Sequence, residues 1–240
     1  MASLTLPETW PRELMREQLL RWTPMHHTTV SEASIGGVVQ ATDSLGGPLW
    51  QCAFGDVDIR GGAIEAAWDA LMWRLKGAKT PVLVPCTKNR LWQPWPTIGG
   101  QVVRRLDQIP FEDGSGYDDG AWNSQHVIVV TVSEAVPARA MRLRVTSERA
   151  GPLREGQRFS VDHPLYGRRM YGIGRVHGIF GSDDVEIEIH RPLFAGLAAG
   201  DGLDFDAPGV VMRLFDEESS AYDMRRMRFG QVSPVLVEAF

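Results

Sequence analysis

"GGPLWQCAFGDVDIRGGAIEAAWDALMWRLKG", Gly46 to Gly77, changes its periodicity halfway, and that change decides the fold class. Leu49 to Phe54 is a short apolar run of strand type, and an earlier run, Val38 to Ala41, is joined to it by "TDSLGG". Asp, Ser and Gly residues suit a hairpin loop, so these two runs are expected to pair. From Ala63 onward the spacing becomes helical. Ile64, Ala67, Trp68, Leu71, Met72 and Leu75 recur at three- and four-residue intervals and make one apolar stripe, with Glu65, Asp69, Arg74 and Lys76 off it. The acidic residues come early and the basic ones late, as the helix dipole favours, and Gly77 is placed to end the helix. One helix, Ala63 to Lys76, is therefore expected, its core-packing residues being Ile64, Trp68, Leu71, Met72 and Leu75. Trp73 lies at the margin of that stripe, and its exposure distinguishes plain core from a subunit contact.

Working outward, "LPETWPRELMREQLLRW", Leu6 to Trp22, has a capping Thr9 and Pro11 in the first turn, which suggests a short second helix. After the long helix, "TPVLVP" is a short apolar run bounded by prolines and is expected to be a strand. From about residue 87 to 123 the chain is rich in Gly, Pro, Asp and Trp and has no periodicity beyond a short strand at Val102 to Leu106. A loop of that length inside a compact domain is usually functional. Its aromatic residues Trp92, Trp95, Tyr117 and Trp122 make it an interaction arm, and with Trp73 they are the candidate subunit contacts. Beyond it the text is strands only, separated by Gly, Asp and Pro, as in a small antiparallel barrel or sandwich. Met170 to Val176 and Val185 to His190 form a hairpin within it.

The expected fold is mainly β with one prominent α-helix. Residues 1–149 form a β-sandwich-like domain with the helix and the arm, and residues 150–240 form a small antiparallel β-barrel.

The 240 residues, 43% of them hydrophobic, are enough for a substantial core. A net charge of -5 gives no cationic field for nucleic-acid binding. The two cysteines, Cys52 and Cys86, form no CxxC pair, which indicates buried thiols rather than a disulfide framework or a zinc knuckle. The N-terminus has charges within its first apolar run and no signal-type apolar core, so the chain is expected to fold in the cytoplasm that makes it. No window approaches the uncharged apolar length of a membrane-spanning helix. Eight tryptophans are many for this length, and Trp favours large buried contacts and interfaces.

Chemistry is hard to assemble from these residues. The sequence has no GxSxG elbow, and neither cysteine stands in the context of a nucleophile. His26 and His27 are adjacent, and His126, His163, His177 and His190 are scattered singly, without the spacing of metal ligands. Asp56 with Asp58, Asp118 with Asp119, Asp183 with Asp184, and Asp204 with Asp206 are carboxylate pairs. The DxD forms would put both carboxylates on one strand face, which a divalent metal or a glycosidase could use, but Asp is also the ordinary residue of turns and strand ends. "YGIGRVHG" lacks the following helix that a phosphate site requires and reads as a kinked strand. No catalytic residue, metal or cofactor is expected.

The order of elements carries a resemblance. The strand, helix and short strand across Leu49 to Val84, with the helix ending in "LKG", and the ending "EIHRPLFAGLAAGDGLDFDAPGVVMRLFDEE…VSPVLVEAF" are similar to tail proteins of long-tailed bacteriophages and prophages, in particular the distal tail protein family. The resemblance implies a homohexameric ring that joins the tail tube to the hub or baseplate of the virion. Its partners would be further copies of itself, the tail tube protein and the hub protein. DNA would pass through such a ring without specific binding, and no membrane is involved. In this family an arm commonly wraps the neighbouring subunit, a role that would fall to Leu91–Trp122. The chain has no room for a large galectin-like C-terminal domain, so residues 150–240 would serve as a peripheral docking module. Two alternatives remain: a carbohydrate-binding or host-recognition module at the tail periphery, and a hydrolase using an Asp pair such as Asp204 and Asp206.

Overall fold

In a computed structural model, residues 8–11, 19–25, 28–30, 41–43, 47–86, 92–105, 126–180, 184–215 and 229–239 are described. The protein is mainly β, with one α-helix among the described residues. The chain divides into two compact units, Met1–Lys88 together with Gly209–Phe240, and Asn89–Pro208.

The first unit contains β1 (Glu8–Thr9), β2 (Leu19–Met25), β3 (Thr28–Val30), β4 (Ala41–Asp43), β5 (Leu49–Gly55), β6 (Val57–Arg60), α1 (Gly62–Leu75) and β7 (Val82–Pro85). After the second unit it resumes with Gly209–Leu214, Phe229–Val232 and Val235–Glu238. α1 is the helix expected from the apolar stripe. Gly61 precedes it at φ 84, and its carbonyl accepts hydrogen bonds from Ile64 and Glu65. At the other end Lys76 already adopts the left-handed conformation, at φ 48, one residue before Gly77 at φ 67. Trp68, Leu71 and Leu75 are buried, and Ile64 and Met72 are half-buried. Trp68 meets Trp10 edge to face at 6.1 Å, and Trp10 stacks on Phe54 of β5 at 5.0 Å. Trp73 stands on the opposite side of the helix, 76% exposed, and so lies well away from the margin of the apolar stripe.

The second unit holds β8 (Thr97–Ile98), β9 (Gln101–Val102), β10 (Val129–Val132), β11 (Arg142–Arg149), β12 (Arg158–His163), β13 (Gly167–Phe180) and β14 (Asp184–Ile189). The last five make an antiparallel sheet in the order β10-β11-β14-β13-β12. Across it β13 shifts register twice against β14, at Ile173/Arg175 and Val176/Gly178, which accounts for the glycines of "YGIGRVHG" as sites of strand curvature. The edges of this sheet are not left open. Leu203 donates to the carbonyl of Val130 on β10, while Asp204 and Ser160 of β12 exchange backbone hydrogen bonds. The segment Asp201–Asp204 therefore pairs with both edge strands at once. Phe159, Tyr171, Ile187, Ile189 and Phe205 fill the core between them.

With the last three strands labelled β15 (Gly209–Leu214), β16 (Phe229–Val232) and β17 (Val235–Glu238), the first unit's main sheet has the order β1-β7-β15-β17-β5-β2. β15 pairs with β7, β17 with β5, and β16 with β6. The expected boundary at 149/150 thus falls within the second unit, where β11 pairs with β14, and the C-terminal strands belong to the sheet begun near the N-terminus. β5, β7 and the strands from β10 onward were legible in the sequence, but a strand's partner is set by tertiary burial, which strand periodicity does not encode.

Two local expectations are also corrected. Of the stretch expected as an N-terminal helix, Leu19 to Trp22 is part of β2, and Glu8–Thr9 pairs in parallel with β7. Trp22 is buried there beside Trp50, with exposed Arg21 before it, so the alternation of a half-buried strand prevails over the capping signals. β5 pairs with β2 and β17, whereas β4, which contains Ala41, pairs with β3. Residues 38–40 of the expected hairpin lie outside the described residues.

Candidate functional site

Asp204 and Asp206 lie at the end of the segment that pairs with both edge strands. Asp206 accepts a hydrogen bond from Val127 N–H at 2.5 Å on one oxygen and from Ile128 N–H at 3.0 Å on the other. One oxygen of Asp204 accepts from the backbone N–H groups of Asp206 and Ala207, an Asx turn, and the other pairs with Arg168 of β13. The His126 Nδ1 atom stands 3.6 Å from both carboxylates. Burial raises the Asp206 carboxyl above its usual range, and neighbouring Asp204 adds to this, against the opposing pull of the two N–H donors and His126. The structure therefore brings this pair together and gives both carboxylates backbone to hold.

Asp204, Arg168 and His126 border a cleft of about 650 Å³. His126, Arg149, Asp162, His163, Arg168 and Asp201 contribute its polar groups, and Ile128, Val130, Pro164 and Leu197 its apolar wall. Arg168 pairs with Asp162 as well as Asp204. Arg149 donates to the backbone carbonyls of His126 and Val127. His163 is 3% exposed, with Nε2 2.8 Å from the Tyr171 hydroxyl, while its buried Nδ1 has no hydrogen-bond partner. Burial, then the charges of Arg169 and Arg191, lower its pKa to about 4. Beside Pro164, the turn between β12 and β13 exposes Leu165 and Tyr166.

A second surface lies around Trp92. Gln157 Nε2 donates to the Trp92 carbonyl at 2.8 Å, and Gln93 Nε2 donates to the Arg158 carbonyl at 2.9 Å. The backbone is thus tied to β12, yet the Trp92 side chain is 59% exposed. It borders a groove of about 220 Å³ whose other walls include Pro94, Val102, Arg104, Pro152 and Arg154.

Of the candidate subunit contacts, Trp73 and Trp92 are exposed. Trp95 is not: it is 7% exposed and packs in the second unit's core with Val103, Val127 and Ile128. The carbonyl of Pro94 beside it accepts from Gly151 N–H at 2.8 Å. Tyr117 and Trp122 lie outside the described residues. So do His26, His27, Asp118, Asp119 and Asp183. Among the described residues no group of His, Cys, Asp or Glu is placed to hold a metal ion, and Cys52 and Cys86 are both buried. No described helix is long and apolar enough to cross a membrane.

Sequence reasoning missed Arg168 and Arg149, since arginines on strands give no motif. The alternation of β13 marks Arg168 as a facing residue only once its pairing with β12 is known. No protein-family model matches the chain, and no curated protein matches it either.

Proposed function

We propose that this protein is a structural component of a bacteriophage tail tip, located in the virion tail, where copies form a ring between the tail tube and the hub or baseplate. The observation that carries this reading is Trp92, an indole left exposed on backbone that two glutamine hydrogen bonds hold in place. A large aromatic residue on a fixed backbone at the rim of a groove is what a protein contact uses as an anchor, because little side-chain freedom is lost on binding. The mainly-β architecture accords with the resemblance of Leu49–Val84 and of the C-terminal segment to distal tail proteins. We read the second unit, whose edge strands are joined by Asp201–Asp204, as a small β-barrel, and the first as sandwich-like. On this reading the ring contacts are heterologous, one copy's Trp92 surface meeting a different surface of the next.

Mass photometry of the purified full chain tests this, together with its detection in purified virions. Hexamers that Trp92→Glu dissociates, with folding intact, support the proposal. A strictly monomeric protein absent from virions overturns it.

The cleft favours a second reading, a carbohydrate-binding module at the tail periphery. Asp, Arg and His side chains beside an apolar wall of Ile128, Val130 and Leu197 suit the hydroxyls and the apolar face of a sugar. Binding on a glycan array that Arg149→Ala and Asp201→Ala abolish would support it, and silence across the array would remove it.

A further inference from the structure

We propose that the outer face of α1 docks against the same face of a second copy, with the two helices antiparallel about a two-fold axis near Asp69 and Ala70. At 100° per residue, Gly62, Ala66, Asp69, Ala70 and Trp73 fall on one side of the helix, opposite the buried Trp68, Leu71 and Leu75. Gly62, Ala66 and Trp73 are exposed, and Asp69 and Ala70 are half-buried. Trp73 is the large apolar group of this face, and it is 76% exposed.

The charge order selects the occupant. Glu65 and Asp69 stand in the N-terminal half of the helix and Lys76 and Lys79 just beyond its end, while Arg74 of the last turn is already paired with Glu8 of its own chain at 2.5 Å. Parallel copies would place like charges together. Antiparallel copies place the acidic half of each against the basic half of the other and also oppose the two helix dipoles. With the axis between Asp69 and Ala70, position 73 of one helix meets position 66 of the other, so each indole lies over an alanine methyl. Lys76 then comes within one helical turn of the other copy's Glu65. Small residues at 62, 66 and 70 permit the close helix approach, about 8–10 Å between axes, that such packing requires.

This goes beyond the ring reading, because a ring uses heterologous contacts and this contact is isologous. A cysteine near the axis discriminates between them. In the full chain, Ala70→Cys under mild oxidation is expected to give a covalent dimer on a non-reducing gel. The wild type, whose Cys52 and Cys86 are both buried, is expected to give none. Trp73→Ala is expected to raise the dimer dissociation constant at least about tenfold without lowering thermal stability. Lys76→Glu should weaken the contact, and mixing it with Glu65→Lys should restore association. An Ala70→Cys protein that stays uncrosslinked while hexamers persist overturns this contact and leaves the ring standing. A crosslinked dimer from a protein that never forms rings does the reverse.

Discussion

His163 and Tyr171 meet inside the second unit with the imidazole Nε2 2.8 Å from the phenol oxygen and the two rings edge to face at 78°. The tyrosine hydroxyl also accepts from Phe194 N–H at 3.2 Å, so this contact joins β12, β13 and the chain beyond β14. His163 is held neutral, with a pKa of about 4 against an ordinary 6.5. Between those values the unfolded chain takes up a proton that the folded chain refuses. Its contribution to stability is complete above about pH 6.5, declines as pH falls, and levels off below about 4. The difference corresponds to about 3 kcal/mol. Urea unfolding at pH 7 and at pH 4.5 should show this loss, and His163→Phe should flatten it. An unchanged pH profile in the variant would refute the assignment.

Asp206 is expected to act on stability. Asp206→Ala strands two backbone N–H groups, those of Val127 and Ile128, at a cost of about 1–3 kcal/mol each if they stay dry. Thermal melts are the measurement. A variant as stable as wild type that has lost a hydrolytic activity would show the pair to be chemical instead.

The two tryptophans of α1 should behave oppositely. Trp68→Ala removes an indole packed on Trp10 and should cost about 3–5 kcal/mol, whereas Trp73→Ala should leave the melting temperature near that of the wild type. Differential scanning calorimetry of the pair decides this.

Gly151 lies against backbone. A Cβ there would meet the Trp95 carbonyl oxygen at 2.6 Å, so Gly151→Ala must displace main chain beneath the Trp92 groove. A loss of about 1–3 kcal/mol is expected. Gly156→Ala is a different test, because its Cβ would meet nothing and the strain comes from φ 83 alone.

The helix was legible because its stripe is long and periodic, and Trp68, Leu71 and Leu75 face the core as that spacing requires. β10 to β14 of the second unit were legible from their own apolar runs and alternation, whereas β8 and β9 were not. What the residues did not declare was pairing at a distance. Val235–Glu238 has the alternation of any half-buried strand, and nothing in it names Gln51 to Ala53 as its neighbour. The candidate site was partly legible: the Asp204 and Asp206 pair stood out, but its meaning depends on the N–H groups of Val127 and Ile128, which carry no side-chain signature. Trp92 and Trp95 looked alike in sequence, and only the packing around Val103 separates the buried ring from the exposed one.

The registry of Gly209 opposite Pro85 has a consequence for how the chain is made. β7 and β15 are adjacent in the sheet, and the whole of the second unit is threaded between them. During synthesis the ribosome releases that unit complete, while the first sheet still lacks β15 and β17, the two strands that join β7 to β5. The unit encoded in the middle of the chain is therefore free to fold first, and the N-terminal strands must wait for the last residues of the chain. A released chain truncated just before Gly209 would carry one complete unit and one unclosed sheet, whose strands β5 and β7, lacking β17 and β15, expose the kind of edge that chaperones shield.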